Sequence, residues 1–547
     1  MHRKLVKRKN RICGKIHEKV TLMTMEPYQL QQLRTRRLAT NVYLAFVCFG
    51  LPLIFTRFYF NITETKHVFF LVCSLVYALA LILIAILLPK GYGVAKPERA
   101  PGAPALWFLA AFFVCFVLGG LLGGHPQDAF FGQNNRYQGV LTVFTYCLVV
   151  LALSRQALSL RVAEAAVAAG AALVGALGLL NHYGLDPFGF MENLTAFDRG
   201  RFLSTIGNAD FYGSYLSLAF PVTFGLFLHA EQKLSRALST LALVCASFGA
   251  LVAGSDSTAL GMLAAAVVFP LALFGDPRGF RRYFLGWAVF ALCALSFGLV
   301  SPVLPSATYL SAFCVLVSKT PVALGLLLAC IVCWLALKKT PPARLLGARK
   351  AYWITLLAGA LLCMLALILL NTALSGVPLG GAENYLRFSE SWGTDRGKIW
   401  AFCLRVYEGF TPVQKLFGGG SGALYYADAQ NHVFTDAALD TAHNEYLQYL
   451  LVSGGAGLLS FLAFLALTLI AGAKKSLSDP LSRGFTVAVA AYAVQALVNI
   501  SQPASTPLFF VFCGLIFAAS GQTDASFWRK SRLARWIRRQ KARPGNA

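Results

Sequence analysis

Fourteen apolar stretches, most of about 20 residues, run through this chain, and a helix of that length crosses a bilayer core. They fall at 40–60, 67–89, 105–123, 139–154, 162–181, 209–229, 237–254, 257–275, 283–303, 321–337, 351–371, 446–471, 484–500 and 504–521. Inside hydrocarbon a lone segment can satisfy its backbone hydrogen bonds only as a helix. The pattern therefore predicts an all-α polytopic membrane helix bundle of about 12–14 spans. The stretch 304–320 is apolar but holds Pro305 and Lys319, and it reads as a re-entrant or interfacial piece. Composition agrees: 57% of residues are hydrophobic, and the mean hydropathy of +0.62 exceeds that of most soluble domains.

The formal net charge of +25 raises the question of nucleic acid, but its distribution points elsewhere. Of 48 Lys and Arg, 37 lie in the two tails and in alternate links between apolar runs, and 11 lie on the other side. That asymmetry is the positive-inside pattern of a multi-pass protein of the bacterial cytoplasmic membrane, with both termini cytoplasmic. The expected organisation is a basic tail over 1–39, a transmembrane bundle over 40–521 with an extracytoplasmic loop at 372–445, and a basic tail over 522–547. The expected surroundings are the lipid bilayer, with no nucleic acid partner. The first 39 residues lack a short apolar core and cleavage site, so no signal peptide is expected, and Met25 is an alternative start. Many of the 13 Cys sit inside apolar runs, and Cys330 and Cys333 form a CxxC without a second pair, so they read as small core residues. No acidic cluster shows metal-ligand spacing, and neither a metal nor a cofactor is expected.

The 11 outer cations are not needed for topology. Several fall in three outer segments, 124–138, 182–208 and 372–445, each with aromatics and glycines. A polar connection as long as the third usually marks function. The first segment carries Gly132-Gln133-Asn134-Asn135-Arg136-Tyr137; Arg136 is either a substrate-binding group or an interfacial arginine beside Tyr137. The second reads Asp198-Arg199-Gly200-Arg201 and ends in Gly207-Asn208, a cap for the next helix. A guanidinium there, close to helix N–H groups, suits an anion, although Arg201 can also pair with Asp198 or Glu192.

The long loop contains Asp395-Arg396-Gly397-Lys398-Ile399-Trp400, a helical-looking stretch to Glu408, then Leu416-Phe417-Gly418-Gly419-Gly420 and His443-Asn444-Glu445-Tyr446-Leu447. Arg396 and Lys398 bind an anionic ligand or form a solvated face with Asp395. The glycines around Gly419 admit a bulky ligand or make a turn. His443 with Asn444 is either a helix cap or a base at the water–membrane boundary, and imidazole is the side chain best suited to take a proton near neutral pH. Several guanidinium groups with one imidazole at that depth suit a lipid diphosphate: arginine forks match phosphate oxygens and stabilise a departing diphosphate without a metal.

In this order, ahead of a late span, these motifs resemble the O-antigen ligase and O-antigen polymerase superfamily of bacterial envelope enzymes, over about residues 40–520. The resemblance implies metal-independent, inverting transfer of a glycan from a polyprenyl (undecaprenyl) diphosphate carrier to an acceptor hydroxyl outside the cytoplasmic membrane. It implies catalytic roles for Arg201, Arg396 and His443, with Arg136, Lys398, Gly419 and Asn444 as substrate-binding candidates. The acceptor is a glycan, a lipid or a wall polymer, and ligase and polymerase are not separated. The alternative is a lipid-linked oligosaccharide flippase, which fourteen spans also suit. Transporters place ionisable groups at the bilayer midplane, whereas the span centres here are nearly free of charge.

Overall fold

In a computed structural model, which describes residues 27–88, 103–133, 136–156, 158–434 and 439–521, helical segments occupy all fourteen apolar stretches. We label them α1 Pro27–Ala45, α2 Ile62–Leu87, α3 Ala103–Leu122, α4 Val140–Ser154, α5 Arg161–His182, α6 Ala209–His229, α7 Lys233–Leu251, α8 Asp256–Leu273, α9 Pro277–Val300, α10 Thr320–Lys339, α11 Pro342–Asn371, α12 Glu445–Ser476, α13 Pro480–Gln495 and α14 Thr506–Gly521. Ten are long and apolar enough to cross a membrane: α2, α3 and α5–α12. This is the build of a multi-pass membrane protein. α4 and α14 are shorter apolar helices, and α13 has 16 residues. α1 begins at Pro27, inside the expected basic tail, because residues 27–39 are polar but hold no helix breaker after Pro27. The remaining tail residues, 1–26 and 522–547, lie outside the described residues.

The stretch 304–320 forms no span. A short helix, Ala312–Ser318, is capped by the Ser311 side chain, and the chain turns at Lys319 into α10. α6 is the hub: nearly all of it is buried, and it packs against α5, α7, α8 and α13. α14 is also largely buried and lies against α4, α12 and α13. α3 runs along α12. α11 packs little against the rest, with Tyr352 Oη donating to the Val267 carbonyl as one of its few ties.

Helix ends in apolar surroundings need hydrogen-bond donors for their last carbonyls. α1 passes through a π-helical turn, Phe46–Gly50, and stops just after Pro52. Lys66 on α2, only 1% exposed, donates from Nζ to the carbonyls of Leu51, Pro52 and Ile54 at 2.9–3.0 Å. A cation at a helix C-terminus also suits the helix dipole. Arg387 does the same for α11, donating to the Leu370, Leu374 and Val377 carbonyls. Two of the eleven outer cations are thus helix caps.

The long connection between α11 and α12 carries its own helices, Glu383–Leu386, Trp392–Glu408, Pro412–Phe417 and Ala423–Asn431, around a small core of Ile399, Phe402, Cys403, Leu424, Ala442 and Leu451. It docks at the end of the bundle where α6 and α12 begin. α12 breaks at Gly454 (φ 69°), and the carbonyls of Leu451 and Val452 accept from the Gly419 and Gly420 N–H groups. A Cβ on Gly418 would strike Val452, and one on Gly454 would strike Leu416.

Replacing Lys66 by Met leaves three buried carbonyls without their donor. At about 1 kcal/mol for each, the loss is roughly 3 kcal/mol, to be measured as reduced resistance to unfolding in denaturant-titrated detergent micelles.

Candidate active site

His443 precedes the N-terminus of α12, and its neighbours fix it on both sides. The Ala442 carbonyl accepts from Trp400 Nε1 at 3.1 Å, and the Ala442 N–H donates to Gln448 Oε1 at 2.9 Å. Asn444 caps α12, its Oδ1 accepting from the N–H groups of Tyr446 and Leu447. The Glu445 N–H donates to the Ala496 carbonyl at 2.9 Å. His443 itself is left-handed (φ 46°), a conformation uncommon outside glycine.

Arg396 reaches the same place from the long loop. Gly393, Thr394 and Asp395 are consecutively left-handed (φ 60–64°), and the chain then enters a regular helix at Arg396. Arg396 Nη1 donates to the Gly393 carbonyl at 2.7 Å, and Nη2 lies 3.9 Å from Asp210 Oδ2. Asp210 stands in the first turn of α6, its other oxygen accepting from Ser255 Oγ at 2.5 Å. Arg136, from the segment between α3 and α4, forks onto Asp440 at 2.9 and 3.1 Å.

Seven described residues other than glycine have positive φ; four of them flank or belong to the candidate constellation, namely Tyr137 next to Arg136, Thr394 and Asp395 ahead of Arg396, and His443. Such backbone persists only where surrounding contacts over-determine it, and it concentrates at functional sites.

Burial pushes the His443 pKa below the ordinary imidazole value of 6.5. The Arg396 cation lowers it further, Asp210 opposes that, Arg136 lowers it and Asp440 opposes. Four charged groups, from the long loop, the first turn of α6 and the segment between α3 and α4, thus act on one imidazole. Arg136 and Asp440, but not His443, Arg396 or Asp210, line a cavity of about 50 Å³, whose wall also includes Gln133, Gln138, Thr441 and Asn444. That volume holds a few waters or one phosphate-sized group.

The other sequence candidates lie as follows. Arg201 is exposed on a hairpin, Phe202–Leu203 paired with Gly207–Asn208, that leads into α6. The hairpin is pinned by Tyr59 Oη donating to the Ser204 carbonyl and by the Ser204 N–H donating to Asn181 Oδ1. The expected cap at Asn208 is present, accepting from the Asp210 N–H. Lys398 donates to the Val433 carbonyl at 3.1 Å and sits 4.6 Å over the Phe434 ring, holding the loop together. Gly419 faces Phe410, Ala423 and the break in α12, so its bare backbone admits protein neighbours. Asn444 lines the cavity, with its Oδ1 committed to capping.

No protein-family model matches this chain, and no curated protein matches it.

Three residues here, Asp210, Asp440 and Glu445, received no role in the sequence reading. Asp210 looks like any acidic residue in a helix first turn, and Asp440 was one of several scattered loop aspartates. Their partners lie far off in sequence, which spacing does not reveal. Glu445 is the third: fully buried, it accepts from Tyr449 Oη at 3.0 Å, from Tyr492 Oη and from Ser501 Oγ. Among the described residues no group of three His, Cys, Asp or Glu is placed to hold a metal ion.

With a lowered pKa, His443 stays neutral to a lower pH than a free imidazole. Any activity in which it takes a proton should rise with pH through a limb below 6.5. Arg396→Gln removes an opposing cation and should move the limb up, whereas Asp210→Asn should move it down. NMR titration of the His443 ring in labelled protein reads both shifts.

Proposed function

We propose that this chain transfers a glycan from a polyprenyl (undecaprenyl) diphosphate carrier to an acceptor hydroxyl at the outer face of the bacterial cytoplasmic membrane, as a metal-independent glycosyltransferase like the O-antigen ligases and polymerases. The observation that carries the reading is the convergence of Arg136 and Arg396, from separate segments, on the electrostatic surroundings of one half-buried imidazole where α6 and α12 begin.

The chemistry follows from these groups. Arg136 and Arg396 bind phosphate oxygens of the donor. His443 takes the proton of the acceptor hydroxyl as its oxygen attacks the anomeric carbon. The bond from that carbon to the diphosphate oxygen breaks, its electron pair leaves with the diphosphate, and the guanidinium groups stabilise the developing charge. Attack from the face opposite the leaving group inverts the anomeric centre. The burial that depresses the imidazole pKa supports this role, since it keeps the base unprotonated. Arg201 enters the proposal through its motif alone.

The flippase reading has less support. Among the described helices α1–α14, the buried charged side chains Lys66, Glu164, Glu445, Lys475 and Arg483 all stand within a turn or so of a helix end. A transport path would place such groups at the midplane.

His443→Ala and Arg396→Ala should each lower glycan transfer by purified protein at least about a hundredfold, with folding checked by size-exclusion chromatography. Undiminished transfer by His443→Ala would refute the assignment, and movement of labelled lipid-linked sugar across vesicles without release of polyprenyl diphosphate would establish the flippase.

A further inference from the structure

The arginine most open to a ligand at this site already holds an anion. Arg136 gives Asp440 a two-pronged contact at 2.9 and 3.1 Å, the same fork a guanidinium offers to phosphate. The pair is reachable from outside: 31% of the Arg136 side chain and 17% of that of Asp440 are exposed. The two residues come from segments about three hundred positions apart, so the contact closes the site between them. Arg396 and Asp210 are different, loosely apposed at 3.9 Å, with Asp210 anchored by Ser255 on a bundle helix.

The cavity beside the fork has unmet polar capacity. Gln133 Oε1 and Thr441 Oγ1 are buried without a hydrogen-bond partner, and both residues are only 6% exposed. Gln138, Ser421, Asn444, Gln448, Tyr449 and Ser501 add to its polar wall. Buried polar atoms without partners are costly and call for an occupant or water. The Thr441 hydroxyl and the Gln133 amide can both donate to phosphate oxygens. The Arg136 fork with its carboxylate, beside the unpartnered Thr441 hydroxyl and a Gln133 amide whose unpartnered atom is the acceptor Oε1 and which offers N–H groups once it rotates, describes a seat for a tetrahedral anion with a stand-in already in it.

We infer that Asp440 is a place-holder: its carboxylate fills the anion seat on Arg136 that a diphosphate group takes, with Thr441 and Gln133 as the remaining partners of that group. The inference rests on the glycan-transfer reading for the identity of the donor but not for the existence of the seat. Binding then requires exchange of one anion for another on a single fork. The two charges cannot share the seat without repulsion, so Asp440 leaves Arg136 as the diphosphate arrives. The Arg136–Asp440 pair is charge-balanced, and the diphosphate gains affinity only to the extent that it outcompetes the carboxylate.

The sign of one substitution tests this. Full-length protein in lipid nanodiscs is titrated with inorganic pyrophosphate and, separately, with polyprenyl diphosphate. Asp440→Asn removes the competitor and should tighten binding about tenfold, the loss of one charge-assisted contact. Asp440→Glu keeps a competing carboxylate and should bind much as the parent does. Arg136→Ala should abolish the gain when combined with Asp440→Asn. Should Asp440→Asn fail to assemble, Asp440→Ser must show the same tightening. Unchanged or weaker binding of both probes by the neutral variants overturns the place-holder and leaves Asp440 as a structural tie. Tightening for pyrophosphate alone supports the seat and assigns it to a soluble diphosphate, so the seat survives even where the lipid-linked donor does not. Tightening for both supports the seat and its donor.

Discussion

A backbone carbonyl freed from its helix inside a bilayer has no water to turn to, and much of this fold answers that constraint. Lys66 takes three carbonyls just after α1, and Arg387 takes one in the last turn of α11 and two just beyond it. At the opposite end of the bundle, Arg282 donates to the Leu228 and Ala230 carbonyls as α6 ends. Where α12 breaks at Gly454, the N–H groups of Gly419 and Gly420 serve instead. Lys66 and Arg387 reach back 10–17 residues, whereas Arg282 and the glycine pair come from further off in the chain. The Gly419 and Gly420 contacts also tie the long loop to α12, beside which His443 stands.

The helices were the most legible part of the sequence. Hydrocarbon selects for length and apolarity, and both are local properties: the stretch at 446–471 becomes α12 with little change at its start. The reading erred where polarity stopped tracking structure: residues 27–39 are polar yet belong to α1. The apolar stretch 304–320 was read correctly as no span, because Pro305 and Lys319 were visible in it, and it yields only a short helix.

The site was half legible. His443, Arg396 and Arg136 stood out because cations and imidazoles are conspicuous outside the spans. Their carboxylate partners did not, because the pairings join positions far apart in the chain, and no local pattern encodes them. Lys398 and Gly419 carried the right chemistry for a ligand, but the fold turns both inward, one onto the Val433 carbonyl and the other into the notch of α12. A residue type shows what a side chain can do; only tertiary contacts show what occupies it.

The notch at Gly454 has one further consequence. Because Leu416–Gly420 fits into the break in α12, and Gly119 and Gly123 of α3 leave no room for side chains against the same strip of backbone, the loop is keyed to two particular helices. A chimera that grafts residues 372–444 onto a different bundle would need α3 and α12 as part of the same cassette. Divergence among chains built this way should therefore be freest in the helices that the loop never touches.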